Sequence, residues 1–366
     1  MNKKLFIVQG VIPHYRVPLF NRINRTDKFK KISFFSSKKI KGAPKSNLKN
    51  SEFNVINYSV YNFFGIYFST LFKSIFSLGR NDVVLLEGNF RFLHTWLFLF
   101  LSKIKNFKIV LWTIYRMPNS KQINIHIKNI LFRFFDRILL YTEKEKKLVP
   151  KHIKKNIYFA NNSIDIQNYG NTNFIRRSED SKLFYKSGSK KFKLIYIGRL
   201  TKKPKLEMVL KYMKKTKLNV YFDIIGDGSE RECLENLTKK LALSNKVNFI
   251  GSIYEEKILA KYMSDADIFV YPGSIGLSIF TAFANALPVI THNDFKNQAP
   301  EFYILKNKYN SITYFVNSQQ SFNSNLDKYL KNYKLKYKYG LNAYQTITQK
   351  YSIEKMANNI IQSLNF

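Results

Sequence analysis

The chain has 366 residues, 45% of them apolar, and this length exceeds one ordinary hydrophobic core, so two domains are expected. Its 61 Lys and Arg against 24 Asp and Glu give a net charge of +37, which indicates either attraction to a polyanion or a compositional bias. The single cysteine, Cys233, excludes an intramolecular disulfide and a cysteine-based zinc cluster, and a reducing compartment is expected.

The front half alternates short apolar runs with longer segments of helical character. Such runs are typical of parallel strands that are covered on both faces. The first run follows two lysines directly, without the apolar length and cleavage site of a signal peptide. Strands are predicted at 4–10, 32–36, 83–88, 108–112, 137–142 and 157–161.

The aromatic segment at 61–78, YNFFGIYFSTLFKSIFSL, is interrupted by polar residues and falls short of the ~20 apolar residues that span a bilayer. A half-buried helix is predicted, with a helix lying on a membrane surface as the alternative. Residues 1–50 carry 13 Lys and Arg and one acidic residue, Asp27. Basic charge beside this segment favours a protein resting on an anionic membrane.

The back half repeats the pattern after a polar segment at 168–191, which is predicted to be a linker or hinge. We therefore expect an N-terminal domain at 1–170, a second domain at 171–347, and a C-terminal helix at 348–366 that returns towards the first. Strands are predicted at 192–198, 220–226, 247–251, 268–273 and 287–291.

Polar residues follow these back-half strands, at the sheet edge where doubly wound sheets bind ligands. Gly198-Arg199 ends one strand and is followed by lysines, while a capping box of Ser229 and Glu232 is predicted to open the helix after Gly226. The stretch VYPGSIGLS is predicted to enter a helix at about Gly276. Its free amides would hold a diphosphate without a charged side chain, and Arg199 would supply the charge.

The order of these motifs resembles glycosyltransferase family 4, the retaining enzymes with the GT-B fold. The resemblance rests on Gly198-Arg199-Leu200, Gly226-Asp227-Gly228, SDADIFVYPG, GLSIFTAFANALPVIT and PEF, and it covers nearly the whole chain. VQGVIPHYRVPLFNRI is similar to a bacterial surface-polysaccharide branch. The resemblance implies an α/β fold of two doubly wound Rossmann-like domains facing a central cleft, with the acceptor in the front domain and a nucleotide-sugar in the back domain.

The chain departs from the family at three kinds of position. Gly273 and Thr281 stand where the family has two glutamates, which address the transferred sugar and the ribose. The family lysine falls on Pro204, which leaves Lys203 or Lys205 to serve. A histidine of the front domain corresponds to Ile114. Glu301 is the carboxylate expected to take sugar or ribose hydroxyls instead, the alternative being a first-turn residue stabilised by the helix dipole.

The predicted site has three sets of residues. The catalytic set consists of Arg199, Lys203, Lys205 and Glu301. The donor-binding set consists of Gly10, Gly198, Gly226, Gly273, Ser274, Gly276, Leu277, Ser278 and Thr281. The acceptor set consists of His14, Arg16, Glu87 and Arg91. No metal or other cofactor is expected, because the five histidines lack ligand spacing and Asp265 with Asp267 is read as a structural junction.

The sequence thus predicts a glycosyltransferase that moves a sugar from a nucleoside diphosphate sugar to a glycan or lipid-linked acceptor, in capsule or lipopolysaccharide synthesis. The expected location is the inner face of the cytoplasmic membrane, with an anionic membrane surface as partner and no nucleic acid. Two alternatives stay open: a catalytically inactive relative that acts as an assembly partner, and a basic nucleic-acid-binding protein.

Overall fold

The computed structural model describes residues 3–37, 48–116, 120–167, 169 and 191–366. The predicted linker at 168–191 lies outside this part of the chain, apart from Tyr169 and Lys191. The described residues divide into two compact units. The first contains those up to 116, those from 120 to 165 and those from 353 to 366, and the second contains those from 166 to 352.

The described strands lie at β1 (Lys4–Gln9), β2 (Lys31–Ser37), β3 (Val55–Tyr58), β4 (Val60–Phe63), β5 (Ile66–Ser69), β6 (Val83–Glu87), β7 (Lys108–Thr113), β8 (Arg137–Leu140), β9 (Ile157–Phe159), β10 (Lys191–Ile197), β11 (Asn219–Ile225), β12 (Val247–Gly251), β13 (Ile268–Val270), β14 (Val289–His292) and β15 (Ser311–Tyr314). Each of the eleven predicted strand segments overlaps one of these strands. The strands β3, β4, β5 and β15 were not predicted.

The described α-helices lie at α1 (Val17–Asn24), α2 (Phe72–Phe76), α3 (Leu93–Lys105), α4 (Gln122–Phe132), α5 (Glu143–Leu148), α6 (Glu207–Lys215), α7 (Arg231–Lys240), α8 (Glu256–Ser264), α9 (Ser278–Ala284), α10 (Gln319–Leu330), α11 (Tyr333–Lys350) and α12 (Ile353–Leu364). Short 3-10 helices lie at His14–Arg16, Lys151–Asn156, Phe295–Asn297 and Pro300–Ile304.

The first unit is built on a parallel sheet of order β3-β2-β1-β6-β7-β8-β9 in the described chain. Residues of β6 alternate between two cores, Val84 and Leu86 facing one and Val83 and Leu85 the other. The first core contains the inner sides of α2, α3 and α4, and the second contains α1 and α12. The sheet is therefore covered on both faces, which is why its strands read as continuous apolar runs.

The second unit is built on a parallel sheet of order β12-β11-β10-β13-β14-β15 in the described residues. Numbered within the unit, the strands have the order 3-2-1-4-5-6 of a doubly wound sheet. The direction in which successive strands are added across this parallel sheet reverses between β10 and β13. The predicted α/β class with parallel sheets is confirmed. A crevice forms outside the carboxyl ends of the strands at such a reversal, and the loops after β10 and β13 border it.

The helix predicted at 61–78 is wrong. Residues 60–69 form the antiparallel hairpin β4–β5, and the helix that follows, α2, has only five residues. Phe64 and Gly65 form the turn with positive φ angles of 47° and 85°, as a two-residue hairpin turn of this twist needs. Large apolar residues occur here at both helical and strand spacing, so their pattern did not separate the two structures.

Candidate functional site

The loop after β10 carries the predicted arginine. The Arg199 carbonyl accepts hydrogen bonds from the Tyr196 hydroxyl at 3.0 Å and from the Thr201 amide at 3.1 Å, so its backbone is fixed. The Arg199 side chain is exposed, and its guanidinium makes no hydrogen bond or ion pair within the described residues. An anchored backbone with an open guanidinium suits the binding of a soluble anion.

The two candidate lysines occupy different positions on the same loop. Lys205 has a positive φ of 56°, and its ammonium donates to Asn317 Oδ1 at 2.7 Å, just beyond the end of β15. The Lys203 side chain is exposed, and its carbonyl faces the Gly273 turn. Lys205 is therefore held across the strand ends, whereas Lys203 extends into solvent.

His292, at the end of β14, lies near Lys205 and Asp294. Burial lowers the pKa of His292 to about 4, with Asp294 opposing the shift and Lys205 adding to it. Its Nδ1 accepts the Asp294 amide at 3.2 Å. The imidazole is thus neutral near pH 7 and adds no positive charge to the site.

Gly273 joins the two loops that border the crevice. Its amide donates to the Pro204 carbonyl at 2.9 Å. A Cβ atom at this position would lie 1.8 Å from the Lys203 carbonyl oxygen, so only glycine permits this approach. The Gly273 amide is consequently engaged within the protein and is not free for a donor, but the glycine fixes the arginine loop against the turn.

Gln298 holds the same turn, and no sequence motif pointed to it. This buried side chain accepts the Ile275 amide at 2.8 Å through Oε1. Its Nε2 donates to Thr291 Oγ1 at 3.0 Å and to the His292 carbonyl at 3.0 Å. One neutral amide therefore ties the turn after β13 to the end of β14. Its role depends on three sequence-distant backbone segments meeting, which no local pattern reveals.

The amides of Gly276, Leu277 and Ser278 donate no hydrogen bond in the described part of the chain. The helix α9 begins at Ser278, two residues later than predicted. Its N-cap is Leu277, and no side chain makes a capping hydrogen bond. Ser274 Oγ is buried without a hydrogen-bond partner among the described residues. Several unsatisfied polar groups thus lie on one short turn.

Thr281, within α9, has a protein partner. A side-chain hydrogen bond joins Thr281 to Tyr169, whose pKa is raised chiefly by burial. Thr281 is therefore bound to a neighbouring tyrosine in the position where the family has a ribose-binding glutamate.

Glu301 is brought to the turn by the 3-10 helix Pro300–Ile304. A Cβ atom built on Gly276 would lie 3.9 Å from Glu301 Oε2, and the Glu301 side chain is buried. The structure thus places a carboxylate against the turn that lacks both family glutamates. The sequence predicted Glu301 for this role, and its contact with Gly276 depends on how the chain folds after β14.

Gly198 and Gly226 have a packing role. A Cβ at Gly226 would lie 1.8 Å from the Gly198 carbonyl oxygen, and the Gly226 φ is 142°. The predicted capping box is wrong: Glu230 is the N-cap of α7 and no side chain caps the helix. The Leu200 carbonyl accepts the Glu230 amide at 3.0 Å, so the arginine loop contacts the start of α7.

The first unit places Gly10 beside Glu87, across the reversal between β1 and β6. The Gly10 amide donates to Glu87 Oε2, and the Gly10 carbonyl accepts the Ser37 amide at 3.0 Å, so neither backbone group is free for a donor. Burial raises the pKa of Glu87, while the Gly10 amide and Arg16 oppose the shift.

The remaining acceptor candidates differ in accessibility. Arg16 is only 4% exposed and stacks on Trp112, with its guanidinium carbon 4.7 Å from the ring centroid. Such a side chain is packed into the core and does not contact a soluble acceptor in this conformation. His14 and Arg91 are exposed, and Arg91 lies over the Tyr67 ring at 5.5 Å.

No group of three or more His, Cys, Asp or Glu side chains in the described residues lies close enough to hold a metal ion. Asp267 accepts the Lys193 amide at 2.7 Å and pairs with Lys336 at 2.7 Å. It therefore fastens the start of β13 to β10 and α11, at the sheet edge opposite the candidate site.

Comparison with known proteins supports the fold. Residues 178–346 match the protein family described as Glycosyl transferases group 1. Glycosyltransferase MJ1607 of Methanocaldococcus jannaschii is 25% identical over 173 residues, which are 46% of this chain and 43% of the relative. The O-antigen biosynthesis glycosyltransferase WclY of Escherichia coli is 31% identical over 99 residues, 26% of this chain and 27% of the relative.

The chain thus spans about half or less of the length of these curated relatives. Over its whole length it superposes on the structure of Anabaena Alr3699/HepE in complex with UDP. The TM-score is 0.72 with 13% identity, and 99% of each chain is covered. The chain therefore has the α/β fold of the GT-B glycosyltransferases, and its second half matches the group 1 glycosyltransferase family.

Proposed function

We propose that this protein is a glycosyltransferase that moves a sugar from a nucleoside diphosphate sugar to a glycan or a lipid-linked acceptor. One observation carries the proposal: the arginine loop after β10 and the Gly273 turn after β13 are joined at the reversal of a doubly wound sheet. That junction is where this kind of sheet binds nucleotides. The UDP complex of the HepE structure supports a nucleoside diphosphate as the ligand.

The chemistry required is the departure of a nucleoside diphosphate while positive charge develops on the sugar. Arg199 and a lysine, Lys205 or Lys203, would stabilise the negative charge that grows on the leaving oxygen. The free amides of residues 276–278 would add neutral donors to the same phosphates. Each charge-assisted hydrogen bond contributes about 1.5–3 kcal/mol.

The sugar and ribose hydroxyls need acceptors, which the family's two glutamates usually supply. Glu301 is the proposed replacement, because its carboxylate lies beside Gly276. Membership of glycosyltransferase family 4 and retention of anomeric configuration are proposed on the motif resemblance. A role in surface polysaccharide synthesis is supported by the similarity to WclY. The proposed location is the inner face of the cytoplasmic membrane.

Replacing Arg199 by alanine tests the donor site. We expect UDP to bind at least about tenfold more weakly, because one charge-assisted phosphate contact is lost. Isothermal titration calorimetry with UDP on the full chain gives the affinity. Lys202→Ala is the matched control, since Lys202 is an exposed cation of the same loop and its loss should change the affinity by less than about threefold.

Equal affinity of the wild-type and Arg199→Ala proteins, both folded, would contradict this site. UDP binding without transfer or donor hydrolysis for any common nucleotide-sugar would favour an inactive assembly partner over an enzyme. Binding to oligonucleotides in preference to UDP would favour the nucleic-acid alternative.

Transfer is expected to proceed without a divalent cation, since Arg199 and a lysine would neutralise the diphosphate. The measurement is turnover in excess EDTA against turnover with added magnesium or manganese. Loss of activity in chelator that either cation restores would mean that a metal takes part.

A further inference from the structure

The outer surface of α3 is apolar, although this helix lies at the surface of the first unit. Its inner side packs Phe98, Leu99 and Leu101 into the core. Its outer side exposes Leu93, Trp96, Phe100 and Ile104, and Phe100 is 64% exposed. A surface helix normally turns a polar face to water, and one that is apolar on all sides is covered in its working state.

The neighbouring helix α4 extends the same surface. Ile123, Ile127 and Ile130 recur at helical spacing on its exposed side, and Phe134 follows beyond its end. Both helices contribute to the same core against the same face of the sheet. The Phe90 ring lies 6.1 Å from Trp96 of α3 and 6.2 Å from Phe135, three residues beyond the end of α4. Each of the two helices therefore exposes a stripe of large apolar side chains.

The hairpin β4–β5 adjoins the start of α3. The Tyr67 amide donates to the Arg91 carbonyl at 2.8 Å, and the Tyr67 ring stacks on Phe92 at 4.9 Å. At the hairpin tip, Phe63 is 67% and Phe64 is 95% exposed. A phenylalanine at positive φ is unfavourable where glycine or asparagine would suit the turn. We call the outer sides of α3, α4 and this hairpin the apolar face.

The charge around the apolar face is almost entirely positive. Between residues 60 and 134 the acidic residues are Asp82 and Glu87, and backbone amides bind both carboxylates. The exposed cations of the same stretch are Lys73, Arg80, Arg91, Lys103, Lys121 and Arg133, while Lys108 pairs with Asp136 just beyond it. Large apolar side chains bordered by cations match a surface that is anionic at its boundary and apolar beneath.

We propose that the apolar face docks on an anionic lipid bilayer, with the hairpin tip and the α3 stripe inserted below the headgroups. A second copy of the chain fits less well, because each copy carries a net charge of +37 and the same cations would meet. In the described residues no helix is both long and apolar enough to cross a membrane, so the docking is peripheral. The proposal rests on the membrane location proposed above. It assigns membrane contact to the apolar face, where the sequence analysis considered a helix at residues 61–78.

Co-sedimentation of the full chain with vesicles tests the docking. Phosphatidylcholine vesicles containing about one third phosphatidylglycerol are compared with phosphatidylcholine alone, at low and high salt. We expect most of the protein to pellet with the anionic vesicles at low salt and a smaller fraction at high salt. No nucleotide or sugar is present in this experiment. A failure to bind vesicles would therefore contradict the docking without contradicting the transferase proposal.

The variant Phe64→Ser/Phe100→Ser removes two exposed rings, so it should fold normally and bind anionic vesicles at least about tenfold more weakly. Ile258→Ser, at an exposed apolar position of α8, is the matched control and should bind as the wild type does. Thermal melts check that all three proteins are folded. Equal vesicle binding by the double variant and the wild type would overturn the proposal.

Trp96 reports insertion directly, because the other tryptophan, Trp112, is buried in β7. Brominated anionic lipids should quench the emission and shift it to shorter wavelength, and Trp96→Phe should abolish both effects. Absence of quenching in protein that co-sediments would mean electrostatic adsorption without insertion and would overturn the docking mode. Light scattering tests the alternative occupant, a second copy of the chain. Dimers that form with rising concentration and are disrupted by Phe64→Ser/Phe100→Ser would assign the apolar face to that second copy and overturn the proposal.

Discussion

Replacing Gly273 by alanine is expected to weaken UDP binding by about a hundredfold or more, because the turn and the arginine loop can no longer pack together. The new Cβ would lie 1.8 Å from the Lys203 carbonyl oxygen and 3.1 Å from the Pro204 carbonyl carbon. Both contacts are with backbone, so no side chain can move aside. The Gly273–Pro204 hydrogen bond would break, and Arg199 would move away from the free amides.

Calorimetry with UDP gives the loss of affinity, and a thermal melt gives the accompanying cost, expected at about 1–3 kcal/mol of unfolding free energy. Gly276→Ala is the matched control. Its Cβ would meet only Ala299 and Glu301, both at 3.9 Å, so the protein should fold with unchanged stability. If Gly276→Ala binds UDP more weakly at unchanged stability, the added Cβ atom hinders the close approach of the ligand to the backbone. Wild-type affinity in Gly273→Ala would show that the junction of the two loops does not form the donor site.

The strands of both sheets were predictable because their signal is local. A parallel strand covered on both faces needs a continuous apolar run, and β1 and β10 have one. The strand β15, SITY, is short and has polar residues at its first and third positions, so it has no such signal. The segment 61–78 has too many aromatic residues for one period to dominate, and the hairpin became evident only from its turn at Phe64.

The position of a candidate residue was predictable where it lies within three residues of the end of its strand, as Arg199 and Gly273 do. It was not predictable where a distant segment supplies the partner. The sequence predicts Ser229 as a cap, but α7 begins after Glu230, whose amide donates to the Leu200 carbonyl, and Gln298 acquires its role only when β13 and β14 lie side by side. A local capping preference does not reveal such contacts between segments that are distant in the sequence.

The buried arginine illustrates the same limit. Arg16 lies six residues after Gly10 in the predicted ligand region, and its charge suggested a contact with substrate. In the structure its guanidinium lies over Trp112 and donates to Met356 Sδ at 3.4 Å. Its burial depends on α12, which comes from the far end of the chain and packs in the first unit.

Replacing Glu301 by glutamine is expected to slow sugar transfer by about 10- to 100-fold while the fold is kept, since glutamine preserves the size of the side chain and removes its charge. The reason is the position of the Glu301 carboxylate against the Gly276 turn, where it can accept hydroxyl hydrogens that the absent glutamates would otherwise take. The measurement is turnover with the nucleotide-sugar that binds best in a screen, alongside UDP affinity by calorimetry.

The two measurements together assign the contact of Glu301. A carboxylate that holds the transferred sugar affects turnover and leaves UDP affinity unchanged, whereas one that holds the ribose weakens both. Glu235→Gln is the matched control, because Glu235 pairs with Arg231 on α7, and it should leave both quantities unchanged. If Glu301→Gln lowers the melting temperature but leaves turnover and UDP affinity at wild-type values, Glu301 stabilises the 3-10 helix Pro300–Ile304 and the hydroxyl acceptor must be another residue.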